Sequence, residues 1–423
     1  MKFFDRIWKT GTAAVSGAII AGGSAAFAEP KVEVMHMWTG GAAAEALAKM
    51  ATRFRDQGGD WEDNAIAGHT AKQYAALRAR VMSGDAPTAV QLKGKAIEEW
   101  AESLGLGDLN YIAEPGNWNK VMAPQLIDIM SYEGKFVAVP VNIHRVNWMF
   151  ASKKAMDKVG ETKMPKTWAE FNVVAEKMAA AGLIPVGHGG QDWQDLTIFE
   201  TVAVGMSVDF YKKAFVDLDD AALRGPMMIK TLDQTRKMVG WMDSNSPGRS
   251  WGETAVMLGK GDAGFQFMGD WWVGNMTSLG HKHGVDYYCD TPPAEDGKLG
   301  FTLNSDSFAF FDQTDPDKKA GQKMFAEIAF SKETQKDFNL SKGSIPARND
   351  VDLSDFTPCQ QMAQKHLDAA SSQGTLVPSI AHSIAQPQAI RSAVMEVVSN
   401  FMNSDQGSQD AANQIADAVK SAM

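Results

Sequence analysis

The chain is poor in the residues that build metal and thiol sites, with two cysteines and eight scattered histidines among 423 residues. A structural zinc site needs four such ligands at short, fixed spacings, and no segment offers them. The sequence also has no phosphate-binding loop, no Gly-x-Ser-x-Gly turn and no helix with paired histidines. No motif therefore supports catalysis, and we expect neither a metal nor a cofactor.

Long hydrophobic runs are also missing, and the nearest candidate is at the N-terminus. Three basic residues among the first nine precede a small and apolar stretch at 12–23, which is followed by Ala-Phe-Ala at 26–28. This order is typical of a secretory signal peptide, and the stretch is shorter than the ~20 residues of a membrane-spanning helix. We predict a signal peptide at residues 1–28, cleavage after Ala28 and an exported mature chain.

Basic residues are in the minority, with 41 Lys and Arg against 51 Asp and Glu and a formal net charge of −10. Because phosphate backbones attract basic surfaces, this balance argues against nucleic acid as a partner. The mature chain is longer than one hydrophobic core normally organises, and it has no Pro- or Ser-rich linker. We expect a monomer with two domains that are joined by ordered segments.

The two cysteines, Cys289 and Cys359, both lie in the exported portion, where a disulfide persists. We predict that they are bonded to each other. In the chain-entropy model such a bond stabilises the fold by about 4 kcal/mol, because it restricts the unfolded chain. The alternative is a pair of separate buried thiols.

Strands alternate with helices along the first part of the mature chain. The segments at 32–38, 64–67 and 89–93 are predicted strands with amphipathic helices between them, which is typical of a parallel sheet in an α/β fold. A first crossing between domains is predicted near 136–147, and a single return strand at 301–310.

Two pairs of residues have the spacing of helix-capping boxes, in which a hydroxyl is followed by a carboxylate three residues later. The pairs are Thr167 with Glu170 and Thr197 with Glu200. Each pair predicts the start of a helix.

Tryptophan is frequent, with twelve residues, and several stand in turn-rich segments, among them Trp38, Trp193, Trp251 and Trp271. An aromatic face packs against the C–H side of a pyranose, while neighbouring polar groups bond its hydroxyls. These residues therefore indicate a sugar-binding cleft. The alternative for each of them is a place in the core.

Four segments in matching order carry a resemblance to a known family: VPVNIHR at 139–145, FMGDW at 267–271, NSDS at 304–307 and KGSIP at 342–346. With these segments the chain resembles the glucose- and mannose-binding proteins of bacterial ABC importers, which belong to the larger maltodextrin-binding-like family of extracellular solute receptors. The resemblance covers nearly the whole mature chain and includes the positions of both cysteines.

The resemblance implies an α/β fold of the two-lobed periplasmic binding protein type II class. Each lobe would be a mixed sheet flanked by helices, with the ligand cleft between the lobes. The N-terminal lobe would comprise 29–141 and 304–345, and the C-terminal lobe 142–303 and 346–423. It also implies a non-enzymatic periplasmic receptor that binds a monosaccharide, with a glucose-like hexose favoured, closes about its hinge and delivers the sugar to ABC permease subunits.

The resemblance further implies which residues contact the sugar. They combine aromatic rings for stacking with polar groups for the hydroxyls: Trp38, Gln91, Lys93, His144, Trp251, Asp270, Trp271, Asp306, Lys342 and His382. Asp306 would accept bonds from two hydroxyls, and Lys342 would donate to sugar oxygens. The alternatives are a structural ion pair of Asp306 with Lys342, a core role for His382 and a hinge role for His144.

The chain departs from the family pattern on the first lobe's side of the predicted cleft. Met37 replaces the first of two tryptophans, Ala43 lies where a glutamate is expected, and Gly68-His69-Thr70 replaces a glycine-rich stretch. Loss of an acceptor for a sugar hydroxyl changes specificity strongly. These positions therefore leave the identity of the monosaccharide open.

Two other functions use the same types of residue. A secreted glycoside-active enzyme needs two carboxylates that flank the scissile bond, and Asp270 and Asp306 are the candidates. Beside Lys342, however, Asp306 is expected to have a lowered pKa, which suits a hydrogen-bond acceptor better than a general acid. A chemosensory sugar receptor is the third candidate.

Overall fold

A computed structural model describes residues 28–423 of the chain. Apart from Ala28, the predicted signal peptide at 1–28 lies outside the described residues. Between residues 28 and 423, none of the helices combines the length and the apolar character that crossing a membrane requires.

The strands of the described chain are short. They are β1 Lys31–His36, β2 Asp60–Ala65, β3 Ala89–Leu92, β4 Ser131–Tyr132, β5 Lys135–Phe136, β6 Ala138–Pro140, β7 His144–Arg145, β8 Trp148–Ser152, β9 Ile184–Val186, β10 Ala263–Met268, β11 Tyr287–Asp290, β12 Phe301–Asn304, β13 Ser307–Ala309 and β14 Leu376–Pro378.

Helices occupy most of the remaining chain, with a π-helical turn at Lys212–Val216. They are α1 Gly41–Asp56, α2 His69–Met82, α3 Lys95–Leu104, α4 Asn110–Ala113, α5 Trp118–Val121, α6 Pro124–Ile127, α7 Lys153–Lys158, α8 Trp168–Ala180, α9 Asp192–Met206, α10 Val208–Tyr211, α11 Asp220–Arg224, α12 Pro226–Val239, α13 Trp251–Lys260, α14 Trp271–Ser278, α15 Pro316–Ala329, α16 Lys332–Lys342, α17 Pro358–Gln373, α18 Gln388–Met402 and α19 Ser408–Ala422.

Two mixed sheets form the centres of the two lobes. The first has the order β2-β1-β3-β13-β6, in which β1 is parallel to β2 and β3 while β13 is antiparallel to both neighbours. The second has the order β11-β8-β10-β9. Helices cover the faces of both sheets, so the predicted α/β class with flanked mixed sheets is confirmed.

The segments that join the lobes meet in a third, three-stranded sheet of order β14-β12-β7. The predicted single return strand at 301–310 is wrong, because β12 belongs to this sheet and β13 to the five-stranded one. The break falls at Ser305 and Asp306, where the Asp306 N–H donates to Asn142 Oδ1 at 2.8 Å and the Ser305 hydroxyl donates to the Asn142 carbonyl at 2.7 Å. At this point the side chain of Asn142, and not a neighbouring strand, bonds the backbone N–H of Asp306.

The two predicted capping boxes have different outcomes. Thr167 and Glu170 form a complete box at the start of α8, as predicted. The prediction for Thr197 and Glu200 is wrong, because both lie inside α9, where the Thr197 hydroxyl donates to the Trp193 carbonyl at 2.7 Å. A buried carboxyl in the middle of a helix needs partners elsewhere, and those of Glu200 are described below.

The predicted disulfide between Cys289 and Cys359 is confirmed. It joins β11 to α17 with a Cα–Cα distance of 6.1 Å and a sequence separation of 70 residues. The bond therefore fastens α17 to the edge strand of the four-stranded sheet.

Candidate functional site

A buried carboxylate, Asp306, lies where the chain passes between the sheets and is only 1% exposed. Its neighbours are Lys93 Nζ at 2.8 Å, Asn142 Nδ2 at 3.0 Å, His144 Nε2 at 3.1 Å, Gln91 Nε2 at 3.2 Å and Lys342 Nζ at 3.7 Å. Burial alone would raise the pKa of Asp306, but the two ammonium groups and His144 outweigh it and hold that pKa well below its usual range.

The imidazole of His144 connects Asp306 to a second buried carboxylate, Asp270. Nδ1 of the ring is bonded to Asp270 Oδ1, and the other oxygen of Asp270 accepts from the Arg145 N–H at 2.9 Å. Asn142 Nδ2 also lies 2.9 Å from His144 Nε2. Burial opposes a charge on His144, yet the carboxylates of Asp270 and then Asp306 raise its pKa, whereas burial raises the pKa of Asp270. Asp270 and Asp306, which are far apart in the sequence, thus both contact the imidazole ring of His144.

Lys342 ends α16 and reaches the same cluster. Its ammonium lies 4.7 Å from the centre of the Trp38 ring, and burial lowers its pKa to about 8 against the attraction of Asp306. The next residue, Gly343, has φ of +86°, and a Cβ there would lie 2.6 Å from the Asp270 carbonyl oxygen. Glycine is therefore needed at 343 to bring Lys342 close to Asp270.

Trp38 is nearly buried and forms the floor under Lys342. Its ring also packs against Phe308 and Phe338, with centroid distances of 5.9 and 5.6 Å. This surface is shared between the five-stranded sheet and α16. Trp38 is thus in contact with the cluster, and the Lys342 cation occupies a position over its ring.

Trp271 stands at the start of α14 beside the two histidines of the cluster. Its ring centroid is 5.2 Å from both His144 and His382 and 6.3 Å from Trp193. The ring also lies over Gly269, where a Cβ would come within 2.2 Å of it. The glycine of the FMGDW segment therefore lets this half-buried ring fold back toward the cluster.

Trp251 is placed differently from the other predicted residues. It is the first residue of α13, whose N-terminus is capped by Ser250 and Glu253, and its carbonyl accepts from Gln266 Nε2 at 3.1 Å. Its ring is half-buried, but among the described ring contacts none joins Trp251 to Trp271. The contacts above join the other nine predicted residues, whereas Trp251 packs half-buried against the same hydrophobic core as Trp193 and Trp271.

His382 lies in the loop that follows β14, and that loop is held by Glu200. The carboxylate of Glu200 accepts from the Ser379 hydroxyl at 2.8 Å and from the Ala381 N–H at 3.1 Å, while the Tyr211 hydroxyl donates to it at 3.3 Å. His382 Nδ1 is 3.0 Å from the Ser379 hydroxyl. Burial, followed by the nearby Lys93 and Arg391 charges, keeps the pKa of His382 well below its usual range.

The buried position of Glu200 predicts a pH effect on stability. Burial raises its pKa to about 7 in the folded chain, against the lower value of an exposed glutamate. The unfolded chain therefore ionises first, so wild type loses stability relative to Glu200→Gln as the pH rises from about 4.5 to 7, by roughly 2 kcal/mol. Urea unfolding at pH 5 and pH 8 measures this difference. Glu176→Gln, at an exposed site on α8, serves as the control and should keep the wild-type dependence.

The three departures from the family pattern lie around β1 and the helices that follow it. The Met37 N–H donates to Gln91 Oε1 at 3.1 Å, and the Thr70 hydroxyl lies 3.6 Å from the Met37 sulfur. Ala43 is half-buried in the first turn of α1, and His69 begins α2. Met37 thus binds the amide that supports Asp306, whereas Ala43 offers no polar group.

Three residues in or beside the cluster are missing from the predicted set. Asn142 bonds Asp306 and lies 2.9 Å from His144 Nε2, Trp193 contacts Trp271 and His382, and Glu200 bonds Ser379 and Ala381 of the His382 loop. Asn142 stands in the VPVNIHR segment and Trp193 in a turn-rich segment, so both had a sequence signal. Glu200 had only a misleading one, the spacing of a capping box.

One group of possible metal ligands in the described residues does not form a metal site. In residues 28–423 the one grouping of three close ligands is His283 with Cys289 and Cys359, and those two cysteines are joined in the disulfide. A disulfide sulfur does not supply the thiolate that metals bind.

A backbone contact connects the end of the five-stranded sheet to the His382 loop. The Lys95 N–H donates to the Ser383 carbonyl at 2.8 Å. Gly94, with φ of +46°, precedes it, and a Cβ at this position would lie 2.3 Å from that carbonyl oxygen and 2.7 Å from Ile384 Cα. The loop that Glu200 holds therefore meets the end of the five-stranded sheet through main chain, directly beside Lys93.

Two flanked mixed sheets, joined by crossing strands that carry a polar and aromatic cluster, define a two-domain binding-protein fold. Solved structures of this kind are similar to the chain. The bacterial solute receptor AcbH, described as having an exclusive preference for β-D-galactopyranose, has a TM-score of 0.77 at 15% identity over 93% of this chain and 99% of its own. Maltose-bound MalE3 of T. maritima has a TM-score of 0.74 at 17% identity over 93% and 100%. The predicted two-lobed class is confirmed.

The family follows from the sequence comparison. Residues 49–365 match the model of a family described as bacterial extracellular solute-binding protein. A protein of Rhizobium meliloti (strain 1021) named a probable sugar-binding periplasmic protein is 39% identical over 412 residues, which cover 97% of this chain and 98% of that protein. The chain belongs to the bacterial extracellular solute-binding protein family.

Proposed function

We propose that this chain is the periplasmic receptor of an ABC importer and that it binds one sugar ring between its lobes. Family membership and the name of the Rhizobium meliloti relative support a sugar as the solute. A glucose-like hexose is the first ligand to test, because the sequence resembles glucose- and mannose-binding proteins. The closed complex, as a monomer, would deliver the sugar to permease subunits.

The observation that carries this proposal is the chain of contacts from Asp306 through His144 to Asp270, with Trp271 against the imidazole. Asp306 lies at the crossing next to the five-stranded sheet, and Asp270 follows β10 of the four-stranded sheet. Polar groups from both sheets therefore converge beside one aromatic ring, which is the combination that a pyranose requires.

Each side chain has a proposed role in this site. Trp271 would stack on the sugar ring, with Trp251 as a more distant wall and Trp38 as the floor. The polar residues would either contact the oxygens of the sugar or position the side chains that contact them. These residues are Gln91, Lys93, His144, Asp270, Asp306, Lys342 and His382. The proposed lobes are 29–141 with 304–345 and 142–303 with 346–423.

Closure about the crossing segments is part of the proposal. The hinge would lie at 141–147 and 303–306, where β7 and β12 pair with each other and lead into the two main sheets. Bending at the ends of strands is a common route to domain closure. The main-chain contact between Lys95 and Ser383 beside the cluster supports a short ligand rather than a long oligosaccharide.

A non-enzymatic role is also proposed. A glycosidase needs two carboxylates on opposite sides of the scissile bond. Asp270 and Asp306 instead flank the His144 ring and are both bonded to it. We therefore expect no turnover of aryl glycosides, and turnover that Asp270→Asn abolishes would contradict this proposal.

A thermal-shift screen with pentoses, hexoses, uronic acids and disaccharides tests the function. A true ligand at a hundredfold excess over its Kd stabilises the fold by about 2.7 kcal/mol. For the best ligand, Trp271→Ala should lower the affinity about tenfold, because the stacking surface is lost.

The matched control for Trp271→Ala is Trp241→Ala. Trp241 is also half-buried, but it packs against Phe171 at a centroid distance of 5.9 Å, in the core of the second lobe. Trp241→Ala should lower stability and leave the affinity unchanged. Equal losses of affinity in the two variants, or no shift with any sugar, would contradict the proposed function.

A further inference from the structure

The acceptors of the polar cluster are already used by the protein. Asp306 takes part in three hydrogen bonds and two ion pairs, although a carboxylate has only about four lone-pair positions. Each oxygen of Asp270 accepts one bond, and Gln91 Oε1 and Asn142 Oδ1 each accept a backbone N–H. The cluster therefore offers a ligand few free acceptors.

Its donors are mostly unused. An ammonium group has three N–H bonds. Across residues 28–423, Lys93 and Lys342 each have a single carboxylate partner, and both of these partners are oxygens of Asp306. Lys342 is 6% exposed and the Lys93 side chain 12%. Two buried cations thus share one anion and have N–H bonds to spare.

The charges lead to the same conclusion. Both ring nitrogens of His144 face carboxylates and the ammonium groups of Lys93 and Lys342 face Asp306, so three groups that carry or can take a positive charge lie against the two carboxylates Asp270 and Asp306. A buried cation without a counter-ion is costly, so the ligand is expected to bring negative charge.

A neutral sugar matches such a site poorly, because each hydroxyl brings a proton that needs an acceptor. A carboxylate has acceptors only, and its two oxygens fit two ammonium groups. We propose that the ligand is a uronic acid, a hexose oxidised to the carboxylate at C6, whose carboxylate lies between Lys93 and Lys342 with its ring against Trp271. This inference rests on the proposed function and names its substrate class.

Calorimetric titration of the wild-type chain tests the inference directly. D-glucose, D-galactose and D-mannose are compared with D-glucuronate, D-galacturonate and D-mannuronate. We expect at least one uronate to bind roughly a hundredfold or more tightly than its neutral parent, as suits a buried charge pair. Neutral hexoses that bind as tightly as their uronates overturn the inference and leave the proposed function standing. No binding in either series overturns both.

A lysine variant gives a second test that separates charge from folding. Lys342→Gln should lower the ratio of uronate affinity to neutral-hexose affinity by about a hundredfold, since glutamine keeps a hydrogen-bond donor but removes the charge partner of the carboxylate. The control is Lys95→Gln, where the exposed ammonium pairs with Glu98 at 2.7 Å, and it should bind as wild type does. Equal weakening of both sugar series by Lys342→Gln would contradict the inference.

Discussion

Asp306→Ala is expected to lower the free energy of unfolding by about 3–5 kcal/mol and to abolish ligand binding. The substitution leaves the ammonium groups of Lys93 and Lys342 buried without their common anion, and removal of one partner from a buried ion pair has this cost. It also releases Asn142 and His144, which position the crossing strands. Under the proposed function, stability and ligand recognition would therefore depend on the same carboxylate.

Urea unfolding and calorimetric titration measure the two effects of Asp306→Ala. Asp312→Ala is the matched control, because Asp312 is exposed just after β13 and belongs to the same segment. It should change stability by less than about 0.5 kcal/mol. An Asp306→Ala variant as stable as this control would show that the buried cluster does not hold the crossing together.

The pH dependence of the Asp306 effect follows from the direction of its pKa shift. The folded pKa is lower than the unfolded one, so its contribution to stability is present above about pH 3.9 and is lost as the pH falls toward the folded value. His144 has the opposite sign, because its raised pKa gives a contribution that is present below about pH 6.5 and is lost as the pH rises through the folded value. The difference between wild type and Asp306→Ala should therefore shrink in acid.

Periodicity predicted the local structure where each element buries one face. The amphipathic helix predicted after the first strand became α1 at Gly41–Asp56, where Leu47, Ala51 and Phe54 are buried on one face. The helix start predicted at Thr197 was wrong because α9 is buried on nearly all sides. Such a helix has no amphipathic pattern that would show where it begins, so the spacing of Thr197 and Glu200 alone indicated its start. The spacing of a capping box does not distinguish a terminus from an interior.

Most residues of the buried cluster could be named from the segments that match the family, but the hydrogen bonds among them could not be predicted. Asn142 and Asp306 are 164 residues apart, and only the fold shows that an amide side chain interrupts the strand at 301–310. Asp306 was predicted to accept from sugar hydroxyls, and in the structure protein donors surround it. A buried acceptor is bonded by whichever donors the fold brings close to it, and a local sequence pattern does not show which donors those are.

Gly94→Val is expected to prevent closure of the lobes. Residue 94 lies between β3 and α3, where a Cβ would come 2.3 Å from the Ser383 carbonyl oxygen, and main chain cannot move aside as a side-chain end can. Overpacking costs up to about 3 kcal/mol. If that cost falls on the closed form alone, the apparent affinity for the sugar falls roughly a hundredfold.

Small-angle scattering with saturating ligand separates this effect from a general loss of stability. The wild-type radius of gyration should decrease on ligand addition, while that of Gly94→Val should remain at the unliganded value. Gly84→Val is the control, because Gly84 also has a positive φ, of +78°, but has open space around its Cβ position. Both variants place valine at a positive φ, and only Gly94→Val meets the Ser383 loop that Glu200 holds. Compaction of Gly94→Val to the wild-type extent would place the closing contact elsewhere in the molecule.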